Sequence, residues 1–399
     1  MSVLRILEIE NSCTGCGACA SICPRGCITI SRNEEGFYYP KCDDEKCVRC
    51  HLCEKTCHVL SDEAKSEISE DDYFMYADID SVRIDSSSGG AFYRLAQCIL
   101  SQNGVVYGSA FNPKNNRLEI ISSNDIAFKR LQKSKYIESY SGLSFSKVGN
   151  DLKNNRKILF CGTPCQVMGL KHYLETKKID CANLITVDFI CHGVPSSLCF
   201  EEYVSKILKK NKQLDNVDFR NKRFEKNGQK WHDMSLRLDF EDNTSAVVPY
   251  EVPYNYGYYK LFMDNVILRK CCYNCNIPSS SVADFTIADF WGINMYRPEI
   301  DDNKGISVIK FHTMKAKEYW SNLNYKAPLY EPLPFDAVRY IYKKPNKTPL
   351  LVKRKEFFDN MRRYGYKKAI IKYYGLLSLI KAFSIGWLKT NLKMMIRHY

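Results

Sequence analysis

The chain has 399 residues, of which 45% are hydrophobic and 26% charged, and its formal net charge is +13. This composition excludes a disordered or collagen-like chain, and the length predicts two or three domains. The longest apolar stretch, residues 376–388, contains Lys381 and is too short to span a bilayer. The first residues lack the apolar core of a secretory signal, so we expect a cytoplasmic protein.

Cysteine is unusually frequent, with 19 residues against 7 histidines. In a reducing compartment, clustered cysteines indicate metal or redox sites rather than disulfides. Ten cysteines lie before residue 60, and eight of these form two runs with the spacing C-x2-C-x2-C-x3-C and an offset of 34. The first run is Cys13, Cys16, Cys19 and Cys23, and the second is Cys47, Cys50, Cys53 and Cys57.

This duplication matches two-cluster bacterial ferredoxins, in which the fourth cysteine of each run ligates the other cluster. The prediction is one 4Fe-4S cluster on Cys13, Cys16, Cys19 and Cys57 (cluster I), and a second on Cys47, Cys50, Cys53 and Cys23 (cluster II). Zinc knuckles are disfavoured because they use two C-x2-C pairs. Residues 28–31 and 37–39 flank a turn-rich stretch and predict a hairpin. Cys27 and Cys42 fall outside the register and are expected to be free thiols.

The predicted fold class is an α+β ferredoxin module (residues 1–60) followed by an α/β domain with a partly parallel sheet (residues 73–340). Residues 61–72 hold six acids and one lysine, which indicates an acidic linker, with a surface helical turn as the alternative.

Early in the second domain, a Ser/Gly-rich loop at residues 86–90 precedes a predicted helix over 91–102. Backbone N–H groups of such a loop, together with a helix N-terminus, suit a phosphate group, such as a flavin's pyrophosphate. The competing interpretation is an ordinary capped helix that follows a flexible loop.

Two strand–turn–helix units follow, with strands predicted over 157–160 and 184–190. Thr163 is a good N-cap, so Cys165 falls in the first turn of a helix, where the dipole favours thiolate. Cys191 and His192 follow the second strand. In a parallel sheet both cysteines lie beyond carboxyl strand ends, where α/β folds place their sites. With the C-x2-C pair Cys272 and Cys275, they make either a third four-thiolate site or simply buried core residues.

Residues 341–399 form a predicted basic helical tail with fifteen Lys or Arg and two acids, an excess equal to the charge of the whole chain. Its aromatic and aliphatic residues leave three alternatives: a helical pair packed on the core, an amphipathic helix on an anionic membrane, or a nucleic-acid surface. Membrane binding would make the protein peripheral to the inner membrane face.

Several ordered motifs across residues 10–340 resemble one family. The ferredoxin module is followed by SSSGGAF, ILFCGTPCQVMGLKHYL, LITVDFICHGVPS, CCYNC and ADFTIADFWGI. Together they resemble the coenzyme F420 hydrogenase/dehydrogenase beta-subunit family, and more closely its branch encoded among bacterial surface-polysaccharide genes. Members of this family are electron carriers that depend on flavin and iron–sulfur clusters.

The resemblance implies an FAD site and a third 4Fe-4S cluster. The implied flavin-binding residues are Ser87, Ser88, Gly89, Gly90, Lys135 and Tyr136. The implied ligands of the third cluster are Cys165, Cys191, Cys272 and Cys275, with Cys161 and Cys271 as alternates. His192 is the candidate proton donor, with hydrogen bonding behind a cluster ligand as its alternative role.

The resulting functional prediction is an iron–sulfur flavoprotein oxidoreductase. It would take electrons from reduced ferredoxin, pass them through 4Fe-4S clusters to FAD, and reduce an organic acceptor in surface polysaccharide biosynthesis. The deazaflavin coenzyme is not expected as its substrate. The alternative is a non-catalytic electron-transfer subunit of a larger redox complex. A nucleic-acid-binding protein with structural clusters is the weakest candidate, since only the tail favours it.

Overall fold

The computed structural model describes residues 4–61, 72–207, 212–222, 231–232, 235–249, 257–275, 283–334, 337, 341, 351–376 and 378–380. The strands are β1 (Ile28–Arg32), β2 (Tyr38–Cys42), β3 (Asp72–Ala77), β4 (Val105–Asn112), β5 (Arg117–Ser122), β6 (Ile158–Cys161), β7 (Leu184–Phe189), β8 (Leu214–Asn221), β9 (Ser235–Phe240), β10 (Ser245–Pro249), β11 (Phe285–Asp289), β12 (Ser307–Phe311) and β13 (Leu329–Pro332). The helices are α1 (Arg5–Glu8), α2 (Ala18–Ile22), α3 (Leu52–Lys55), α4 (Asp80–Ile84), α5 (Ala91–Leu100), α6 (Phe128–Leu131), α7 (Ser144–Lys153), α8 (Pro164–Thr176), α9 (Ser197–Ile207), α10 (Tyr258–Met263), α11 (Ile293–Tyr296), α12 (Met314–Ser321), α13 (Leu351–Tyr364) and α14 (Tyr366–Tyr374).

An eight-stranded sheet forms the centre, in the order β13-β3-β12-β11-β7-β6-β4-β5. The four strands β4, β6, β7 and β11 pair in parallel, and antiparallel strands flank them on both sides. The central strands β6 and β7 are largely buried, as expected for parallel strands that helices cover. The predicted fold class, a ferredoxin-like region followed by an α/β domain with a partly parallel sheet, is therefore confirmed.

Helix α8 illustrates how the sequence sets local structure. Thr163 accepts a hydrogen bond from the backbone N–H of Gln166, whose side chain returns to the Thr163 backbone, and Pro164 occupies the first helical position. This capping box satisfies N–H groups that have no partner within the helix. The strand–turn–helix unit predicted around Cys165 is confirmed.

The cysteine-rich N-terminal region contains the predicted hairpin, formed by β1 and β2, and the short helices α1 to α3. Its apolar residues, such as Ile22 and Ile28, share one core cluster with Phe145 and Val148 of α7. The hairpin also packs against the second domain, since the Ser196 and Ser197 hydroxyls donate to backbone carbonyls of residues 35 and 36. The proposed boundaries at 60 and 72 remain a prediction, and residues 62–71 of the linker lie outside the described residues.

The described part of the basic tail is a helical pair packed on the core. Phe357, Phe358 and Met361 of α13 and Tyr366 of α14 are buried in one core cluster. Residues 381–399 lie outside the described residues. Within the described parts of the chain, no helix is both long and apolar enough to cross a membrane.

Candidate functional site

A cavity of about 430 Å³ opens at the carboxyl ends of the parallel strands. The segments that follow β6, β7 and β11 all line it, which is where doubly wound sheets bind ligands. The predicted site residues that line it are Ser87, Ser88, Gly90, Lys135, Tyr136, Cys165, Cys191 and His192. Its volume is in the range typical of small-molecule and cofactor sites.

The Ser/Gly loop is held in place by its own polar groups. The Ser88 hydroxyl donates to the Ile306 carbonyl at 2.6 Å, and the Ser87 hydroxyl accepts from the Ser134 N–H at 2.7 Å. Gly89 lies behind the cavity wall, where a Cβ would overlap the Tyr76 carbonyl. Gly90 has a φ of +96° and starts α5, which requires glycine. The loop therefore presents backbone, more than hydroxyl groups, to a ligand.

Lys135 and Tyr136 come from a segment that crosses the cavity. Burial lowers the pKa of Lys135 to about 7, and the ammonium of neighbouring Lys133 acts in the same direction. The Tyr136 ring packs 5.3 Å from Phe262 and 5.5 Å from Phe219, measured between ring centroids. A buried lysine with a depressed pKa regains its charge when an anion binds beside it.

Sequence analysis missed two buried cations under the Ser/Gly loop. Arg220 donates to the Ser87 carbonyl, the Tyr136 hydroxyl and Asp289 at 2.7–2.8 Å. Lys222 donates to the carbonyls of residues 83, 88 and 304. Burial, with Arg220 nearby, lowers the pKa of Lys222 to about 6. The available signal was a pair of basic residues, Arg220 and Lys222, at the end of β8.

His192 also lines the cavity. Its imidazole lies 4.9 Å from the Phe262 ring, edge to face. It follows Cys191 directly, at the turn after β7. The position is compatible with either role considered for His192, so its function remains a prediction.

Three of the four cysteines predicted for the third cluster lie in one neighbourhood. Burial raises the pKa of Cys165 well above its usual value, and charges on Cys191 and Cys272 add to the effect. Burial therefore opposes the effect of the helix dipole on Cys165, and a thiolate at the start of α8 remains a prediction. Cys271 contacts Cys272, and Cys275 is the last described residue before 276–282.

The cysteines predicted for cluster I also share a neighbourhood. Burial raises the pKa of Cys16 to about 12, and charges on Cys57 and Cys13 contribute. The pKa of Cys19 is raised by burial and by the other three thiols. Bound iron would reverse these shifts, because a cation stabilises thiolates. A partly buried, all-sulfur donor set of this kind fits an iron–sulfur cluster.

Two contacts join this first cysteine loop to the second domain. A Cβ at Gly169 of α8 would lie 2.7 Å from Cys16 Sγ, so only glycine fits there. The buried Arg269 donates to the Cys13 carbonyl at 2.7 Å and forms an ion pair with Glu138. Thr14 and Gly15 of the same loop line the large cavity. The predicted cluster I therefore borders both the third cysteine group and the cavity.

All four cysteines predicted for cluster II line a second, small cavity of about 20 Å³, together with Cys27. Cys53 is buried, which raises its pKa to about 12, whereas Cys50 is exposed. His58, which replaces the proline of the first run, contacts the Thr14 hydroxyl at 3.0 Å. Burial and His172 lower the pKa of His58 to about 4, so it is neutral at pH 7.

Two family models match parts of the chain. Residues 155–330 match the family described as the C terminus of the coenzyme F420 hydrogenase/dehydrogenase beta subunit. Residues 12–60 match the family described as 4Fe-4S dicluster domain.

Individual relatives match a stretch of 54 residues. Over 54 residues the chain is 35% identical to an uncharacterised ferredoxin of Methanocaldococcus jannaschii, covering 14% of this chain and 69% of the ferredoxin. Over 54 residues it is 41% identical to DNA-directed RNA polymerase subunit Rpo3 of Methanosarcina acetivorans, covering 14% of this chain. The chain spans only 19% of that polymerase subunit's length.

Among solved structures, the chain is similar to a chain of the F420-reducing NiFe hydrogenase complex from Methanosarcina barkeri. The two are 14% identical, with a TM-score of 0.42, and the match covers 73% of this chain and 89% of that one.

The dicluster domain makes this protein an iron–sulfur protein of the electron-transfer class. The chain therefore combines this dicluster domain with a region, residues 155–330, that matches the C-terminal domain of the coenzyme F420 hydrogenase/dehydrogenase beta subunit.

Proposed function

We propose that this chain is an iron–sulfur flavoprotein oxidoreductase that moves electrons from a ferredoxin-type donor to an organic acceptor. One observation carries the proposal: the cavity beside the Ser/Gly loop is also lined by Thr14 and Gly15 of the first cysteine run and by Cys165 and Cys191. A cofactor in this cavity would therefore lie next to two of the three predicted clusters.

The residues present fit a flavin. The Ser/Gly loop and Lys135 suit its phosphates, and the aromatic side chains of Tyr136, Phe262 and Trp291 suit its ring system. When bound, 4Fe-4S clusters carry single electrons, and a flavin supplies the coupling between one- and two-electron transfer.

The protein's own groups bind, orient and exclude water. Arg220 donates hydrogen bonds to both the Ser87 carbonyl and the Tyr136 hydroxyl. These two bonds fix the Ser/Gly loop relative to the Tyr136 ring. His192 is proposed to hold a proton at an imidazole nitrogen facing the cavity. Phe262, packed on both Tyr136 and His192, keeps water from that side.

Electrons are proposed to enter at cluster II. Cys50 is exposed and Val48 beside it is 60% exposed, so a soluble donor can approach this loop closely. Reduced ferredoxin is the proposed donor. The proposed acceptor is a sugar-containing intermediate of surface polysaccharide assembly. The exposed basic residues of α13 and α14 support an anionic membrane as the place where a lipid-linked acceptor is met.

The decisive experiment is iron, sulfide and flavin analysis of full-length protein purified without oxygen. About twelve irons and one flavin per chain are expected for three cubane clusters and one flavin. About eight irons with one flavin would return Cys165, Cys191 and Cys272 to a structural role. Absence of flavin after reconstitution would contradict the oxidoreductase and favour the electron-transfer subunit.

Single substitutions assign the third cluster. Cys165→Ser, Cys191→Ser and Cys272→Ser should each lower the iron content by about four per chain and leave eight. Cys98→Ser is the matched control, because Cys98 lies on α5 away from the three cysteine groups. If all four variants kept the same iron content, the proposed third cluster would be excluded.

A further inference from the structure

Cys27 and Cys42, expected from sequence to be free thiols, lie next to two predicted cluster II ligands. The sulfur atoms of Cys27, Cys42 and Cys47 all lie within 4.8 Å of one another. The Cys23 sulfur is 3.3 Å from that of Cys27. These four thiols therefore form a contiguous group, hereafter the hairpin thiol group.

The hairpin holds this arrangement. Cys27 directly precedes β1, and Cys42 ends β2, where it pairs with Ile28. The Asp43 N–H donates to the Cys27 carbonyl at 2.8 Å, which closes the base of the hairpin. The position of Cys27 beside Cys42 thus follows from strand register, independently of the ferredoxin spacing.

The spacing of the Cys27, Cys42 and Cys47 sulfurs suits a single ion, whereas the Cys23 sulfur contacts Cys27 but lies outside this mutually close set, so its side chain would have to turn to become the fourth ligand. A tetrahedral zinc ion with zinc–sulfur bonds of about 2.3 Å holds its sulfurs about 3.8 Å apart. Cubane ligands bind separate irons and must be more widely spaced. Across the described residues, no other set of Cys, His, Asp and Glu ligand atoms converges within 4.8 Å, and the cysteines of cluster I do not.

We propose that Cys23, Cys27, Cys42 and Cys47 form a single-ion tetrathiolate site for Zn²⁺. The site shares Cys23 and Cys47 with cluster II, so the ion and that cluster exclude each other. Binding converts four thiols to four thiolates, forms four zinc–sulfur bonds and releases four protons to solvent, with no change in oxidation state. Zinc therefore blocks assembly of cluster II and leaves cluster I unaffected.

Substitution of Cys50 distinguishes the zinc site from cluster II in an experiment, because Cys50 is a predicted cluster II ligand that does not belong to the hairpin thiol group. We expect full-length Cys50→Ser protein, reconstituted with iron and sulfide and then dialysed against zinc, to retain about one zinc per chain. Zinc-edge X-ray absorption should give four sulfur neighbours at about 2.3 Å. Wild-type protein with a full iron content should retain none.

The test variant adds Cys27→Ser and Cys42→Ser to Cys50→Ser, and should lose the zinc. The matched control adds Cys98→Ser and Cys181→Ser instead, and should keep it. Equal zinc in both triple variants, or nitrogen and oxygen neighbours around the zinc, would overturn the proposal.

Iron content provides a check on folding and on ligand identity. Cys27→Ser/Cys42→Ser protein, with Cys50 intact, should load the same iron as wild type, because neither residue is a predicted cluster ligand. A loss of about four irons would make one of them a cluster ligand and would overturn the single-ion site. These measurements do not depend on flavin, so failure of the proposed enzymatic function would leave them interpretable.

Discussion

Lys135 carries a charge that depends on what occupies its cavity. Its pKa without a bound ligand is about 7 because of burial. A bound pyrophosphate stabilises the ammonium and raises that pKa, so above pH 7 binding must be accompanied by proton uptake. Flavin affinity should therefore be constant below pH 7 and fall by up to about tenfold per pH unit above it.

Fluorescence titration of iron-loaded protein with FAD from pH 6 to pH 9 measures this slope. Lys135→Met should bind more weakly and show no slope above pH 7. Lys133→Met is the control, because the Lys133 ammonium is paired with Asp218 at 2.6 Å and its removal should leave the slope in place. If the affinity of Lys135→Met for FAD still fell above pH 7, the pH dependence would arise from another titratable group.

Replacing Gly169 with alanine has two opposite effects on stability, one from the helix backbone and one from the contact with Cys16. In an ordinary helix interior, Gly→Ala stabilises by about 0.5–1 kcal/mol. Here the new methyl group would lie 2.7 Å from Cys16 Sγ. Gly169→Ala is therefore expected to lose about four irons per chain, measured by iron and sulfide analysis. A variant with full iron content and higher stability would show that α8 does not press on the first cysteine run.

The residues found from sequence are those whose chemistry is encoded locally. Cluster ligands with two or three residues between them follow from spacing alone, and Thr163 ahead of α8 follows from its N-cap preference. Arg220 and Lys222 were not found from sequence because the carbonyls that they bind are 82 to 139 residues away. No local pattern specifies such pairs, since only the packed fold brings β8 under the Ser/Gly loop.

At the scale of elements, α13 is fixed by one buried ion pair. Arg354, 3% exposed, donates through both terminal nitrogens to Glu35 of the hairpin loop and through Nε to the Leu268 carbonyl. Removing one partner of such a pair leaves a buried charge and costs about 3–5 kcal/mol. Arg354→Met should therefore lower the thermal unfolding midpoint by several degrees and expose α13 to proteases.

Arg362→Met on the same helix is the matched control. Arg362 is exposed and pairs with exposed Glu34, an arrangement that contributes about 0–1 kcal/mol. Its unfolding midpoint should stay close to that of the wild type. Equal effects of the two substitutions would mean that the Arg354 pair does not anchor the helix.

The helices of the tail also illustrate what a charge count leaves open. Fifteen basic residues were compatible with packing, membrane binding or nucleic-acid binding. The buried side chains of Phe357, Phe358 and Tyr366 place α13 and α14 against the core, and the basic residues of the two helices other than Arg354 face outward. Amphipathic periodicity identifies an apolar face but not what covers it.

At the scale of the whole molecule, that outward basic face predicts peripheral membrane binding. Replacing Lys367, Lys368 and Lys372 with Gln keeps the buried face of α14 intact. Each lysine near an anionic bilayer contributes about 1 kcal/mol, so affinity for phosphatidylserine vesicles should fall about 100-fold. Vesicle sedimentation at physiological salt measures the change.

The control replaces Lys153, Lys177 and Lys178 with Gln, which removes the same charge from exposed positions at the ends of α7 and α8. Vesicle binding of this variant should match the wild type. Equal weakening of both variants would indicate a response to net charge rather than to the basic face, and no vesicle binding by the wild type would rule out the membrane proposal.

The large-scale arrangement was partly predictable. Alternating strands and helices gave the partly parallel sheet, and the duplicated cysteines gave the dicluster region. The shared core between the two regions was not predictable, because Ile22 and Phe145 each read as ordinary core residues of their own segment. A chain with two separate modules and a chain with one continuous core show the same local pattern of apolar residues.

The pairing of Glu35 with Arg354 has a consequence for synthesis in the cell. The two residues are separated by 319 positions, so at about 5–20 residues per second the ribosome makes the second roughly 15 to 60 s after the first. Throughout that interval the hairpin loop lacks its buried cation. The hairpin loop can therefore reach its final packing only after α13 has been translated.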